Sequence, residues 1–514
     1  MKHFLFVLFI AAFAAPLCAQ QELPADAPLA KVGRQTITNA EFLSRYELSP
    51  GLQRHIAVKT DEKKAEVLFT LIAEKLLAQK AREEGLDRDT SLIDAVRGVE
   101  RLFVRDELYR REVRAKVSIA PKEIEQAMRY AQQDLKVYFL YARTQKTADS
   151  LYALIQAGTP LESVSCGSGR QECEGPDSAI TRWGDADERM ENAVYRLALN
   201  ETARPVRLDD GFYIPKLMGK TLTFVAGEKE KKALRERVEQ TLRKRKEQAR
   251  MFQFIESVLK DAKAEVKAKT SKAVIMNMFS AYEALTPEDQ RRTDSAKFVL
   301  TPAIVHTILS KQTAEAGQVY VTFPHTAWTL ETTLEKMRIA GLAVERPTLT
   351  RLREAYEERL HDLIDQEQLT RIGYERGLQH TDNVQKQLGP WRDWYLAQTY
   401  KNTIEDTIRI SQRDVENEKW RMLRDTVMAE DTSKARQSLA AARTRYVSDR
   451  LLGSLADRYG ITIYEKNLSA VKVTSAPALV YRYLGFGGRM FAVPLTEPNV
   501  QWVNFWKRKN LQLP

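Results

Sequence analysis

The chain has 514 residues, of which 43% are hydrophobic and 29% are charged, so it is long enough for several domains and too apolar to be disordered. Only 22 residues are glycine, which argues against a loop-rich β protein. The net charge of +11 is compatible with nucleic acid, an anionic membrane or acidic polypeptides as partners.

The first nineteen residues are typical of a signal peptide. Lys2 is followed by an apolar run over 4–15 that is too short to span a bilayer, and Ala19 suits a cleavage site. The alternatives are an uncleaved anchor and a lipid anchor at Cys18, the second disfavoured because the large Leu17 precedes the cysteine. No later apolar stretch is long enough to cross a membrane. Residues 1–19 therefore predict an exported mature chain, and export argues against nucleic acid as a partner.

Residues 20–134 predict a first helical module. Apolar positions recur at helical spacing over about 61–84 and again over about 90–115. Gly85 is expected to end the first of these helices, because glycine adopts positive φ without a steric penalty.

Residues 135–222 have a different character. The aromatic and β-branched run Lys136–Ala142 predicts a buried strand, and Gly211–Met218 predicts a closing strand. A helix, a loop rich in Gly and Ser, and a short helix lie between them. This order predicts a compact α+β domain inserted between helices.

Two cysteines remain after the signal peptide, Cys166 and Cys173. In an oxidising compartment they are expected to close a small disulfide loop, and the alternative is two unpaired thiols. Their spacing matches no metal site, and the six histidines are scattered along the chain. No phosphate-binding glycine loop is present. The sequence therefore predicts neither a metal nor another cofactor.

Residues 223–270 predict a long charged helix and a short strand that close the first module. The same order recurs in residues 271–465 without the α+β insertion, so a second helical module is expected. Gly377 repeats the glycine stop of Gly85 at a distance of 292 positions. Residues 466–514 are rich in aromatic residues, and we expect an extended arm on the helical core; the alternative is an aromatic surface for extended peptide.

The chain resembles the SurA-like chaperones and the PrsA- and PpiD-type foldases of the bacterial envelope. The fold that the resemblance implies is mainly α, with two copies of a SurA-type helical chaperone module and an inserted α+β parvulin-like domain. The residues that carry the resemblance are Val32-Gly33, Ile37-Thr38, Glu41-Phe42, Leu71-Ile72, Glu74-Lys75-Leu76-Leu77, Glu84-Gly85-Leu86, Val117-Ser118 and Glu123-Ile124.

The parvulin-like (rotamase) domain departs from the family pattern at its centre. Active parvulins keep a histidine in the first strand and another in the last, and here Phe139 and Tyr213 stand at those positions. No histidine occurs between His55 and His306. Trp183 with the glycine after it matches the family's Trp-Gly pair. The resemblance therefore implies a degenerate domain that binds peptide without catalysis.

These observations predict an exported, periplasmic, ATP-independent chaperone. Its partners would be unfolded secreted or outer-membrane proteins, including β-barrel proteins, held in a cradle of the two helical modules. One alternative is an active peptidyl-prolyl isomerase, and another is a scaffold dedicated to one envelope complex. The candidate peptide-binding residues are Phe42, Tyr46, Phe103 and Tyr109 in the cradle and Phe139, Trp183 and Tyr213 in the parvulin-like domain.

Overall fold

The structure is a computed structural model that describes residues 23–49, 60–164, 173–225, 227–260, 264–284, 297–425, 432–473, 481–486 and 488–506. The predicted signal peptide, with Cys18, lies outside these ranges. The described chain is mostly helical with small sheets, which confirms the predicted fold class.

Sixteen helices are described. They are α1 (Asn39–Leu48), α2 (Thr60–Glu83), α3 (Thr90–Glu112), α4 (Pro121–Tyr130), α5 (Gln145–Gln156), α6 (Glu188–Val194), α7 (Glu228–Leu259), α8 (Ala268–Glu283), α9 (Pro302–Lys311), α10 (Thr313–Ala316), α11 (Leu330–Ile339), α12 (Leu349–Glu375), α13 (Asp382–Thr407), α14 (Gln412–Asp425), α15 (Thr432–Tyr459) and α16 (Glu465–Ala470).

Fourteen strands accompany them in the described ranges. They are β1 (Pro28–Val32), β2 (Gln35–Thr38), β3 (Gln133–Ala142), β4 (Cys173–Arg182), β5 (Val206–Arg207), β6 (Phe212–Leu222), β7 (Glu265–Val266), β8 (Lys297–Val299), β9 (Val319–Thr322), β10 (Ala327–Thr329), β11 (Ala343–Glu345), β12 (Ile461–Ile463), β13 (Tyr481–Leu484) and β14 (Gly488–Phe491).

The chain divides into two compact units. Unit 1 comprises residues 1–109 and 262–514, and unit 2 comprises Arg110–Asp261. Unit 2 is therefore larger than the α+β segment drawn from the sequence at 135–222. The difference arises because α4 and α7, which flank that segment in the chain, pack against each other inside unit 2.

The internal repeat has a structural counterpart in α2 and α12. The two helices end at equivalent positions, and each is followed by a glycine in the left-handed region, Gly85 at φ 78° and Gly377 at φ 67°. A three-residue 3₁₀ turn follows in both copies. Only glycine adopts this backbone conformation without strain, so both helices stop where the sequence predicts.

The closing strands of the two repeats are exchanged within unit 1. The sequence predicts that β7 completes the first module, but β7 pairs with β9 of the second repeat, in a sheet of order β10-β9-β7. Conversely β12 pairs with β1 of the first repeat, in a sheet of order β12-β1-β2. Each small sheet is thus completed by a strand from the other half of the chain.

Two large apolar cores lie within the described residues of unit 1. The first core lies around α2 and includes buried residues of α13, α15 and the C-terminal segment, with Trp502 fully buried. The second core is formed by residues of α8, α9, α11 and α12 with the strands around β9. Over 67–78 every residue of α2 is buried, which requires packing partners on all sides of the helix.

A buried ion cluster ties α2 to α13. The Lys75 ammonium lies 2.8 Å from the Glu41 carboxylate and 2.7 Å from the Asp393 carboxylate, and Arg82 also donates to Asp393. Burial by itself would raise the pKa of Asp393, but the charges of Lys75 and Arg82 outweigh it and hold that pKa below its usual value. The cluster therefore fixes the register of these two helices through charge.

Unit 2 contains a four-stranded antiparallel sheet of order β4-β3-β6-β5. Helix α5 packs on one face, in a small core with Leu140 and Ile214. Towards the other end of the strands, α4, α6 and α7 enclose a second core around Leu135 and Leu217. Within the described residues no helix of either unit is long and apolar enough to cross a membrane.

Candidate functional site

The centre of unit 2 carries a cluster of three aromatic rings, Phe139, Tyr141 and Tyr213. Tyr141 stands directly opposite Tyr213 in the pairing of β3 with β6. Phe139 lies two residues before Tyr141 and so shares its face of the sheet. The ring centroids are 5.6 Å apart for Phe139 and Tyr213 and 5.3 Å apart for Tyr141 and Tyr213. All three rings are partly exposed, so this aromatic face is open to a ligand.

Asp210 organises the two hydroxyls of the aromatic face. Tyr213 donates a hydrogen bond to the Asp210 carboxylate at 2.7 Å, and Tyr141 donates to the Asp210 carbonyl oxygen at 2.6 Å. The bond to Asp210 raises the pKa of Tyr213 to about 12. Gly211 makes this approach possible, since a Cβ there would lie 2.5 Å from the Tyr141 ring. Both hydroxyls are therefore held in place, and the Tyr213 hydroxyl stays protonated at neutral pH.

Phe139 and Tyr213 offer little acid–base chemistry on the aromatic face. Phe139 has no atom that donates or accepts a proton, and the Tyr213 hydroxyl is engaged with Asp210. Isomerisation of a prolyl bond needs groups that favour the twisted amide over the planar one. Aromatic rings instead offer an apolar surface on which a proline or aromatic side chain can pack.

Trp183 does not belong to the aromatic face. It is 7% exposed, in the core formed with α4, α6 and α7, and the Arg245 guanidinium lies 5.1 Å above its ring. Arg245 also pairs at 2.7 Å with the buried Glu191 carboxylate, which accepts from the Gly184 backbone N–H. The structure thus places Trp183 in this core, apart from Phe139 and Tyr213, and its role in peptide binding stays a prediction.

The predicted cradle residues are covered as well. Phe42, Tyr46 and Phe103 are at most 3% exposed, and Phe42 and Tyr46 stack on each other at 5.8 Å. Tyr109 is partly buried and meets Phe486 of the C-terminal segment edge-to-face at 5.4 Å. Phe42, Tyr46 and Phe103 therefore offer almost no surface to a client in this structure, and Tyr109 is partly covered by Phe486. Their helical spacing is that of core residues.

The cysteine prediction falls partly outside the described residues. Cys173 is disulfide-bonded, and Cys166 lies outside the described ranges. No group of three or more His, Cys, Asp or Glu in the described part of the chain is arranged to hold a metal ion.

Sequence reasoning missed Tyr141 and Asp210. The strand periodicity could have identified Tyr141, because a residue two positions from Phe139 in a strand shares its face. Asp210 carries no such signal. It lies in the loop before β6, and its role depends on where the loop places it.

Comparison with known proteins gives one curated relative. Foldase protein PrsA from Geobacillus sp. (strain WCH70) is 21% identical over 233 residues, which are 41% of this chain and 82% of the relative. This match confirms the SurA/PrsA resemblance and supports a chaperone or foldase role. No protein-family model matches the chain.

Solved structures of the same kind are also similar to parts of the chain. PrsA from Bacillus cereus is 18% identical, with 48% of this chain and 96% of that chain covered, at a TM-score of 0.20. One of the structurally related SurA-like chaperones PEB4 and Cj1289 of Campylobacter jejuni is 15% identical, with 47% of this chain and 100% of that chain covered, at a TM-score of 0.20.

Proposed function

We propose that this chain, a relative of PrsA- and SurA-type proteins, is an exported chaperone that binds unfolded polypeptides without ATP and without isomerase activity. The observation that carries the proposal is the contact between Phe139 and Tyr213. By the resemblance to parvulins they would stand where an active parvulin has its histidines, and their partly exposed rings meet on one face of the sheet. This face can bind a peptide but lacks the groups for the reaction.

The ligand of the aromatic face would be an extended segment with proline or aromatic side chains. Proline rings pack well on tyrosine and phenylalanine, and an extended proline-rich chain loses little entropy on binding. Phe139 and Tyr213 would provide the surface, with Tyr141 beside them. Unfolded exported proteins, including outer-membrane β-barrel proteins, would be the clients, and the periplasm the site of action.

An active isomerase is the second candidate, because the curated relative is named a foldase. The two candidates separate in an exchange-NMR assay on a proline-containing model peptide. We expect the mature chain (residues 20–514) to leave the cis–trans exchange rate of the peptide unchanged. An accelerated rate that Tyr213→Ala abolishes would contradict the proposal and establish the isomerase.

Peptide binding to the aromatic face is tested with the same peptide. We expect Tyr213→Ala to weaken binding by about tenfold, since stacking on one aromatic ring is worth about 1 kcal/mol or slightly more. The matched control is Tyr152→Ala, which removes a partly buried tyrosine of α5 in the core on the opposite side of the sheet. Equal affinity of the two variants would show that the aromatic face is not the binding surface.

A further inference from the structure

An open groove lies between α8 and α12 in unit 1. Its volume is about 740 Å3, and its apolar lining includes Ile275, Met276, Leu349, Leu360 and Ile364. Met276 is 46% exposed and Leu349 is 39% exposed. Side chains of this kind are usually covered in a folded protein, so a groove lined by them is a candidate binding surface.

The first repeat contains the equivalent helix face. The sequences of α2 and α12 align with a shift of 292 positions, which is set by Gly85 and Gly377 after the ends of the two helices. With this shift Leu68 corresponds to Leu360, and Phe69 corresponds to His361, which also lines the groove.

In the first repeat this face is covered by the chain's own C-terminal segment. Phe69 is only 5% exposed and meets Trp502 edge-to-face at 6.0 Å, and Trp502 is itself fully buried. The Asn499 backbone N–H donates to Thr70 Oγ1 at 3.0 Å. The covering segment, residues 496–506, therefore anchors on α2 through an indole ring and a main-chain hydrogen bond.

In the second repeat Leu360 is also buried, at 7% exposure, but the position equivalent to Phe69 has no such cover among the described residues. The His361 side chain is 77% exposed, compared with 5% for Phe69 at the equivalent position. The chain has two copies of this helix face, and the C-terminal segment with Trp502 covers the copy on α2. The repeat thus shows both the occupied and the open state of one kind of site.

We propose that the groove between α8 and α12 binds an extended polypeptide segment that carries a large aromatic side chain, as residues 496–506 do on α2. The inference rests on the proposed function, because it assigns the groove to client segments. An indole or phenyl ring would lie over Ile364, next to His361, and the side chains of Met276 and Leu349 would flank it.

The test uses a fluorescein-labelled peptide with the sequence of residues 496–506, titrated with the mature chain and followed by fluorescence anisotropy. We expect saturable binding to the full-length chain. The double variant Met276→Glu with Leu349→Glu should bind the peptide at least about tenfold more weakly, because each new carboxylate would have to be desolvated against the bound ring. Both positions are exposed, so the variant should remain folded.

The matched control is Ile339→Glu on α11, which changes a 72% exposed apolar residue that does not line the groove. It should bind the peptide as the wild type does. A peptide in which Trp502→Ala removes the indole should also lose about tenfold in affinity. Equal binding by the groove variant and the control, or by the two peptides, would overturn the proposal.

A photo-crosslinker in place of the indole locates the bound peptide. Crosslinks to α8 and α12 are expected, whereas crosslinks confined to α2 would mean that the peptide displaces the chain's own segment and would overturn the proposal. The proposed function is measured separately, by suppression of client aggregation. If the chain suppresses aggregation but the groove does not bind the peptide, only the proposal for the groove is refuted. If the groove binds the peptide but the chain does not suppress aggregation, only the proposed function is refuted.

Discussion

Cutting the chain between residues 261 and 262 should leave the first repeat unable to fold its helical core. The exchange of β7 and β12 and the packing of α13 and α15 on α2 place essential partners of α2 in the second half. The fragment 23–261 keeps α1, β1 and β2 but lacks the helices that cover the remaining sides of α2.

The size of the effect follows from the burial of α2. Seven of its large apolar side chains are at most 5% exposed: Val67, Leu68, Phe69, Leu71, Ile72, Leu76 and Leu77. If about three of them lose their cover, at about 2 kcal/mol each, the loss is about 6 kcal/mol. That is comparable with the whole stability of a typical domain, about 5–15 kcal/mol.

Hydrogen–deuterium exchange of the peptides from α2 is the assay. We expect fast exchange of α2 in the isolated fragment 23–261 and slow exchange after the fragment 262–514 is added. Unit 2 lies wholly inside the first fragment and serves as the internal control, since its sheet should stay protected in both samples. Slow exchange of α2 in the isolated fragment would refute the exchanged architecture.

Two further predictions concern buried charges. Arg245→Ala leaves the Glu191 carboxylate, which is 2% exposed, without its cation, and should destabilise unit 2 by about 3 kcal/mol as measured by hydrogen exchange of its strands. The control Arg235→Ala breaks an exposed ion pair on the same helix and should cost less than about 1 kcal/mol. Equal effects of the two variants would refute a stabilising role for the pair of Arg245 with Glu191. The pKa of Asp393 is lower in the folded chain than in the unfolded chain. The ionised carboxylate therefore stabilises the fold above the unfolded-state pKa of about 3.9, and this stabilisation is lost as the pH falls through the folded-state pKa. The stability gap between the wild type and Asp393→Asn should therefore narrow below about pH 4 in thermal unfolding, and a constant gap would contradict the ion pair with Lys75.

The local features of the fold were predictable because short-range chemistry determines them. Gly85 and Gly377 end equivalent helices through a backbone conformation that glycine favours, and the strand rich in aromatics at β3 forms where its composition predicts. The exchange of closing strands was not predictable. A strand of three residues such as β12 has no side-chain pattern that specifies β1 rather than β9 as its partner.

The site was predictable only in part for a related reason. Phe42 and Phe139 are both aromatic residues in amphipathic surroundings, yet the first is fully buried and the second is partly exposed. Periodicity identifies which residues share a face and does not show whether another element covers that face. The resemblance to parvulins supplied the missing information for Phe139 and Tyr213, and no comparable pattern marked the groove on α12.

The most direct test of the proposed function is light scattering from a denatured outer-membrane β-barrel protein diluted into buffer, with and without the mature chain and without ATP. We expect near-stoichiometric amounts of the chain to suppress aggregation, and Tyr213→Ala to suppress it less well than Tyr152→Ala. If the wild-type chain leaves the scattering unchanged, the chaperone proposal is contradicted.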